Sequence, residues 1–105
     1  MRFTKRPNGR VPFNDWMQRF KEFDTRSKVI TRLDRLKLGN FGDCKSVGEG
    51  VAELRIHYGP GLRIYYSKIE SKIIVLLVGG DKSTQSADIS RAVEFLREYQ
   101  SREEK

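Results

Sequence analysis

Residues 51–66 read VAELRIHYGPGLRIYY, and the alternation of apolar and polar side chains in this stretch decides the fold of the 105-residue chain. A β-strand places successive side chains on opposite faces of a sheet. Gly59-Pro60-Gly61 divides the stretch in two and favours a tight turn. The stretch therefore predicts a hairpin of two antiparallel strands. One face would carry Ala52, Leu54, Ile56, Tyr58, Leu62, Ile64 and Tyr66, and the opposite face Glu53, Arg55, His57, Arg63 and Tyr65.

A further strand is predicted directly after the hairpin. Glu70-Ser71 permits a turn, and residues 73–78 then read IIVLLV, an unbroken apolar run of strand length. Such a run is typical of a central strand that is buried on both faces. Residues 79–85 (GGDKSTQ) are polar and rich in glycine, which predicts a connection. Lys82 would then lie at the end of the central strand.

Helices are predicted on both sides of this sheet-forming region. Pro12 suits the first turn of one helix, Asp24 is the predicted N-cap of a second, and Gly39 ends the second. Apolar side chains recur in all of them at spacings of three and four residues. The expected core-facing residues are Phe13, Trp16, Met17, Phe20 and Phe23 in the first helix, Val29, Ile30, Leu33 and Leu36 in the second, and Ile89, Ala92, Val93 and Leu96 in a C-terminal helix at 87–99.

The order of these elements predicts an α+β domain, in which a helical hairpin packs on a small antiparallel twisted sheet with a C-terminal helix. At 105 residues the chain suffices for one modest core, so residues 1–105 are interpreted as a single domain. Residues 1–4 are interpreted as the remnant of an edge strand, residues 40–44 and 48–50 as loops, and residues 100–105 as a frayed end.

The composition narrows the class of partner and of cofactor. Lys and Arg number 21 against 14 Asp and Glu, a net charge of +7, which indicates a nucleic acid, an acidic protein or both as partners. One cysteine, Cys44, and one histidine exclude an internal disulfide and a four-ligand zinc site of Cys and His alone. We therefore expect no metal and no cofactor. The chain shows no apolar run that could span a bilayer and no signal peptide, so we expect a cytoplasmic protein without a membrane partner.

The polar face of the hairpin combines residue types that suit RNA cleavage. Attack by the 2′-hydroxyl needs a base, cations for the charge of the phosphorane, and an acid for the 5′-oxygen. Arg55, Arg63 and Lys82 would supply the cations without a metal. Tyr65 offers a plane for base stacking or a proton donor, and His57, the one histidine, is a candidate for proton transfer or RNA contact.

Each of these residues also has a structural interpretation. The cations could form a solvated strand face, His57 could be exposed without a role, and Tyr65 could be a packing residue. Glu53 would orient Arg55 through an ion pair or act as a base. Polar residues around the start of the last helix are interpreted as caps, namely Asp81, Gln85 and Asp88. On the second helix, Arg32, Arg35 and Lys37 are candidates for RNA binding, with a solvated face as the alternative.

Two motifs together resemble the addiction-module killer proteins, a HigB-like branch of the RelE/ParE toxin superfamily. They read GVAELRIHYGPGLRIYY at 50–66 and LLVGGDKSTQ at 76–85. The similarity continues upstream through LKLGNFGD at 36–43 and downstream through Asp88-Ile89. It covers most of the chain after the first helix, and the combination of motifs is specific.

This resemblance implies a toxin that cuts messenger RNA in the ribosomal A site, as a metal-independent endoribonuclease, and thereby inhibits translation. A cognate antitoxin, expected to be a helix-turn-helix protein, would hold it inactive, and operator DNA would be contacted only through that antitoxin. By motif, Arg63 takes the place of a phosphate-stabilising arginine, Arg55 that of a basic residue on the preceding strand, and Lys82 that of a further cation. The C-terminal tyrosine of several RelE toxins has no clear equivalent, and Asp88 lies near its position.

Two other functions fit the same sequence. A ParE-like toxin would poison DNA gyrase without nuclease chemistry, and a degenerate member would only bind its antitoxin as a co-repressor. One fold serves all three roles, so fold alone does not choose between them. The cluster of Arg55, Arg63 and Lys82 favours RNA.

Overall fold

The computed structural model describes residues 1–103 and consists of a five-stranded sheet with helices on both faces. The α+β class and the C-terminal helix are thereby confirmed. In chain order the elements are β1 (Arg2–Phe3), α1 (Pro12–Met17), α2 (Phe23–Lys37), β2 (Cys44–Gly48), β3 (Val51–Ile56), β4 (Leu62–Ile69), β5 (Ile73–Asp81), a 3₁₀ turn (Lys82–Thr84) and α3 (Gln85–Glu103).

The strands lie in the order β1-β5-β4-β3-β2. All neighbours pair antiparallel except β1, which pairs parallel to β5. The predicted hairpin is confirmed as β3 and β4, in which Arg55 lies directly opposite Arg63 and Glu53 opposite Tyr65. The ladder ends at Ile56, because the chain turns through the glycine-rich segment and the Gly61 amide donates to the Tyr58 carbonyl at 3.1 Å.

The apolar run at 73–78 is confirmed as an interior strand whose residues from Ile74 to Gly80 are all buried. The strand is longer than predicted, since it includes the residues that the sequence assigned to a connection. Gly79, Gly80 and Asp81 pair with Ile64, Arg63 and Leu62 respectively. Backbone pairing with β4 thus extends β5 beyond its apolar part, and the connection starts only at Lys82.

The two faces of the sheet support separate hydrophobic cores. The first core lies under α1 and α2, and the second lies under α3. The alternation along the hairpin assigns the side chains as predicted, with the apolar face under α1 and α2. Large buried members of the first core include Phe13, Trp16, Leu36, Leu54, Leu62, Ile64, Tyr66 and Leu76; those of the second include Tyr65, Leu77, Phe95, Leu96 and Tyr99.

The first two helices differ from the prediction in four respects. α1 has only six residues, and Phe23 begins α2 with 79% of its surface exposed instead of packing on the core. Asp24 lies in the first turn of α2, whose N-cap is Glu22. Ile30 is 51% exposed, because the buried stripe of α2 runs through Thr25, Val29, Leu33 and Leu36, and Ile30 lies about 100° around the helix from Val29.

Two segments that were not predicted to be regular form secondary structure. β2 is a short edge strand beside β3. The side chains of β2 are largely exposed, so its sequence shows no hydrophobic pattern. α3 continues to Glu103, so residues 100–103 are helical and not frayed, while the rest of that prediction, residues 104–105, lies outside the described part of the chain.

Candidate functional site

A cationic cleft of about 540 Å³ lies where β3 ends, β4 begins and the 3₁₀ turn follows β5. We call it the first cleft. Of the five residues predicted to be catalytic, the structure brings together Arg55, His57, Arg63 and Lys82, and it places Tyr65 beneath them. The turn between β3 and β4 provides the other lining residues, Tyr58, Gly59, Pro60 and Gly61. No acidic side chain within residues 1–103 lines this cleft.

A fully buried carboxylate, that of Glu53, holds the floor of the cleft together. Its Oε1 accepts from Arg55 Nε at 3.1 Å and lies 3.7 Å from Arg63 Nε. Its Oε2 accepts from the Tyr65 hydroxyl at 3.0 Å and from Gln85 Nε2 at 2.7 Å. Burial alone would raise the pKa of Glu53, but the hydrogen bonds from Gln85, Arg55 and Tyr65 and the charge of Arg63 hold it below its usual range. Glu53 is therefore an anion that joins three elements.

This anion explains how two arginines can lie side by side on neighbouring strands. Like charges that face each other across a strand pair repel and destabilise a sheet. Arg55 and Arg63 are such a pair, and Glu53 contacts both. The side chain of Arg63 is only 11% exposed, and its buried Nε has no hydrogen-bond partner among the described residues. The guanidinium of Arg63 is therefore held at the cleft while N–H donors of this group remain without a hydrogen-bond partner among the described residues.

Tyr65 is completely buried, so the expectation of an exposed plane for base stacking is wrong. Burial raises the pKa of Tyr65, and its hydrogen bond to Glu53 raises it further. The phenol is therefore a neutral donor. Because α3 covers this part of the sheet, Tyr65 positions Glu53 from below and does not face the cleft.

His57 lies at the exposed rim of the cleft and pairs with Asp43. The His57 Nε2 and Asp43 Oδ2 are 2.6 Å apart, and the His57 side chain is 75% exposed. The hydrogen bond with His57 lowers the pKa of Asp43, and the charges of Arg55 and Arg32 act in the same direction. The sequence predicts only a loop at Asp43 and no role for its side chain. The contact with His57 depends on the pairing of β2 with β3, which the sequence does not predict.

The 3₁₀ turn sets the position of Lys82. Asp81 caps this turn, as predicted: its Oδ1 accepts from the Ser83 amide at 2.8 Å and from the Ser83 hydroxyl at 2.6 Å. The hydrogen bond from the Ser83 hydroxyl lowers the pKa of Asp81. Gln85 does not act as a cap, since its amide reaches Glu53, 32 residues away in sequence. It is a site-supporting residue that the sequence analysis missed.

Comparison with known proteins assigns the chain to a family. Residues 15–97 match the family described as phage derived protein Gp49-like (DUF891). The chain belongs to this family. The matched range contains every residue of the first cleft, and this Gp49-like family is toxin-like and related to addiction modules.

A relative of this Gp49-like chain occurs in Haemophilus influenzae. That protein, described as an uncharacterized protein, is 45% identical over 82 residues, which cover 78% of this chain and 83% of the relative. No solved structure matches the chain.

The basic residues of α2 lie outside the first cleft of this Gp49-like chain. Arg32 Nη2 donates to the Phe41 carbonyl at 3.3 Å and so braces the loop before β2. Lys37 lies 4.0 Å from Asp34 on the same helix. Arg35 is exposed and, with Arg32 and Lys28, lines a separate hollow of about 270 Å³. These residues therefore form a second basic surface.

The described part of this Gp49-like chain has neither a cluster of metal ligands nor a membrane-spanning helix. Residues 1–103 contain no group of three or more His, Cys, Asp or Glu side chains arranged to hold a metal ion. In the same range, no helix has the length and apolar character needed to cross a membrane. Cys44 is a free thiol that packs, partly buried, against the first core.

The Gly79-Gly80 pair allows close packing on both faces of β5. A Cβ atom on Gly79 would collide with the Trp16 indole of the first core, and one on Gly80 would collide with the Asp88 carboxylate on the opposite face. Asp88 is buried and accepts a hydrogen bond from the Thr84 hydroxyl. The end of β5, the 3₁₀ turn and α3 are thereby held close to the first cleft.

Replacing Gly80 by alanine is expected to destabilise the protein by about 1–3 kcal/mol, because the methyl group overpacks a site where a buried carboxylate must shift. Urea unfolding measures the change in the free energy of unfolding. In an Asp88→Ala background the same substitution should cost less, since the colliding group is absent. Equal costs in both backgrounds would show that the Asp88 contact is not the cause.

Proposed function

We propose that this protein is the toxin of a type II toxin–antitoxin pair, a HigB-like member of the RelE/ParE superfamily that cuts messenger RNA on the ribosome without a metal. The observation that carries the proposal is the convergence of Arg55, Arg63 and Lys82 on one cleft that no carboxylate of the described residues lines. Membership of a toxin-like family supports it. Cleavage of translated mRNA would inhibit translation.

The proposed reaction begins with attack of a ribose 2′-oxygen on the adjacent phosphorus. The bond to the 5′-oxygen then breaks, which leaves a 2′,3′-cyclic phosphate and a 5′-hydroxyl. Charge accumulates on the non-bridging oxygens of the phosphorane, where fixed cations stabilise it more than in the ground state. Arg63 and Arg55 would provide this stabilisation, because Glu53 holds both guanidinium groups in place. Lys82 would add a third charge and a proton for the leaving oxygen.

His57 is the proposed base for the 2′-hydroxyl. An ionised Asp43 beside Nε2 favours the tautomer that carries its proton on that nitrogen, as carboxylates do for catalytic histidines. The lone pair of Nδ1 is then available to accept the proton. Tyr65 and Gln85 act as positioning residues through Glu53.

The His57→Ala variant is expected to cut mRNA at least about 100-fold more slowly, the usual contribution of a positioned general base. Its stability should be unchanged, because the imidazole is 75% exposed. Single-turnover cleavage on programmed ribosomes measures the rate. Lys45→Ala, an exposed change on β2 outside the cleft, is the control and should cut normally. A wild-type rate for His57→Ala would exclude His57 as the base.

The proposed partners follow from charge and from the family. A cognate antitoxin, of helix-turn-helix type, would neutralise the toxin and alone contact operator DNA. A net charge of +7 suits both an acidic segment of such a protein and ribosomal RNA. We assign the basic surface of α2, with Arg32, Arg35 and Lys37, to contact with RNA of the ribosome.

Primer extension on mRNA from cells that briefly express the protein tests the proposal, with translation allowed or blocked. The expected result is a set of cuts that appears only while translation continues. Growth arrest with intact mRNA and trapped gyrase–DNA complexes would replace the proposal by a ParE-like gyrase poison. Harmless expression without the antitoxin would replace it by a co-repressor role.

A further inference from the structure

A second cleft, of about 360 Å³, lies beyond the opposite edge of β5. We call it the second arginine cleft. Four arginines line it, Arg6, Arg10, Arg19 and Arg91, and Asp15 is its one acidic lining residue within the described range. It forms where α1 and α3, which cover opposite faces of the sheet, approach each other beside Gly79. None of these residues belongs to the first cleft.

Two of the four arginines are fixed over the same aromatic ring. The guanidinium carbons of Arg6 and Arg91 lie 4.8 Å and 5.8 Å from the centroid of Phe95. Arg6 also donates to both carboxylate oxygens of Glu98, at 3.2 Å and 3.0 Å. Stacking and paired hydrogen bonds hold a guanidinium in one orientation. The cleft is therefore a prearranged cationic site, unlike a set of independent surface charges.

The other two arginines are available to a ligand. Arg10 is 68% exposed and pairs with Asp15 at 3.0 Å. The side chain of Arg19 is exposed and makes no hydrogen bond or ion pair within residues 1–103. Guanidinium groups bind phosphate oxygens through two parallel hydrogen bonds. Arg6 pairs with Glu98 and Glu94, Arg10 with Asp15 and Arg91 with Asp88, so Arg19 alone of the four has no ion-pair partner among the described residues. An anionic ligand would therefore be bound by Arg19 and by the exposed guanidinium of Arg10.

The two clefts lie at the same end of the sheet, on either side of β5. Gly80 pairs with Arg63 of the first cleft, while Gly79 lines the second. Asp88 connects the two clefts. Its carboxylate accepts a hydrogen bond from Arg91 of the second arginine cleft at 3.3 Å. It also accepts one from Thr84, the last residue of the turn that carries Lys82 of the first cleft. Neighbouring strands are only about 4.8 Å apart. A single extended polyanion can therefore contact both clefts.

We propose that the second arginine cleft binds phosphodiester groups of the same RNA strand that the first cleft cuts, at nucleotides beyond the scissile bond. This inference rests on the proposed nuclease function and adds a site that holds and aligns its substrate. RNA is favoured over an acidic peptide because the two clefts are contiguous around β5 and both present arginine side chains that can bind phosphate oxygens. A continuous strand of phosphates matches that arrangement.

The test compares RNA oligonucleotides of two lengths, about 3 and about 12 nucleotides, by fluorescence anisotropy. Both carry 2′-O-methyl groups, so that no attacking hydroxyl is present. The Arg10→Ala/Arg19→Ala variant should bind the longer strand about ten-fold more weakly than wild type and the shorter strand equally well. The slope of log affinity against log salt should fall by about 1.4 for the longer strand, at about 0.7 per lost phosphate contact.

The matched control removes the same charge elsewhere. Lys45→Ala/Lys72→Ala changes an exposed residue of β2 and one in the turn between β4 and β5, at the far end of the sheet, and should bind both strands like wild type. An equal loss in this control would overturn the inference, because net charge alone would then explain the effect. Unchanged binding of the longer strand by the arginine variant would also overturn it.

Three further outcomes separate this inference from the function on which it rests. If the arginine variant binds RNA normally but loses affinity for a poly-glutamate peptide, the cleft is a protein-binding site and the inference is wrong. If the wild-type chain cuts translated mRNA while the arginine variant binds the longer strand normally, the inference alone fails. If the wild-type chain neither binds the longer strand nor cuts mRNA, both fail.

Discussion

The Arg63→Ala variant is expected to cleave mRNA about 100- to 1,000-fold more slowly than wild type. This is the usual cost of removing one preorganised donor that stabilises charge in the transition state. Arg63 is the least exposed cation of the first cleft, and its guanidinium is fixed beside Glu53. Single-turnover cleavage on ribosomes measures the loss, and primer extension shows whether the same sites are cut.

The fold should survive this substitution. Glu53 keeps its hydrogen bonds from Arg55, Tyr65 and Gln85 in the absence of Arg63, so no buried charge is left without a partner. The like-charge contact across the strands also disappears. Urea unfolding should therefore show a cooperative transition with a modest loss of stability.

Two control variants test the role of the guanidinium fork. Arg63→Lys keeps the charge but not the planar fork and should recover only part of the rate. Arg97→Ala removes an exposed arginine that pairs with Glu49 outside the first cleft and should cut like wild type. If Arg63→Ala cuts mRNA at the wild-type rate, the first cleft is not the nuclease site.

The largest loss of stability is expected from Glu53→Gln, at about 3–5 kcal/mol, the typical cost of removing one partner from a buried ion pair. The amide has nearly the same shape, but its nitrogen is a donor, so the change removes the charge and one of the two accepting atoms. Without the anion, Arg55 and Arg63 face each other directly, and the buried Nε of Arg63 loses its nearby counter-charge. The free energy of unfolding in urea measures the effect.

The control for this prediction is Glu49→Gln, which removes an exposed carboxylate paired with Arg97. Exposed pairs contribute about 0–1 kcal/mol, so this variant should be nearly as stable as wild type. A loss below about 1 kcal/mol for Glu53→Gln would show that Glu53 does not hold the two arginines.

Acid should reduce the difference between wild type and Glu53→Gln. The pKa of Glu53 is lower in the folded protein than its ordinary value. Its contribution to stability is therefore complete above the unfolded pKa of about 4.3 and is lost as the pH falls through the folded pKa. As the pH falls below the unfolded pKa and through the folded pKa, the two unfolding free energies should converge, whereas a constant difference down to strong acid would contradict this linkage.

The faces of the hairpin and the buried strand that follows it can be predicted from local sequence patterns. Alternation along 51–66 requires nothing beyond the two-residue period of a strand, and an unbroken apolar run requires a covered strand. The same local property placed Arg55 and Arg63 on one surface. Local patterns did not predict β2, because the side chains of this edge strand are largely exposed and give no apolar signal. Helical spacing also predicted Phe23 and Ile30 to face the core, although both side chains are exposed.

What covers the polar face of the hairpin depends on contacts between elements that lie far apart in the chain. Because α3 packs there, Tyr65 is buried, Glu53 becomes an enclosed anion, and Gln85 reaches it from 32 residues away. The pairing of β2 with β3 brings Asp43 to His57 in the same way. These contacts join elements that are distant in the chain, and their burial depends on the whole packing arrangement. Local periodicity contains no information about either. The cations and the ion pair of Glu53 with Arg55 could therefore be predicted, and this pair is confirmed, but the burial of Glu53 and its contacts with Gln85 and Arg63 could not.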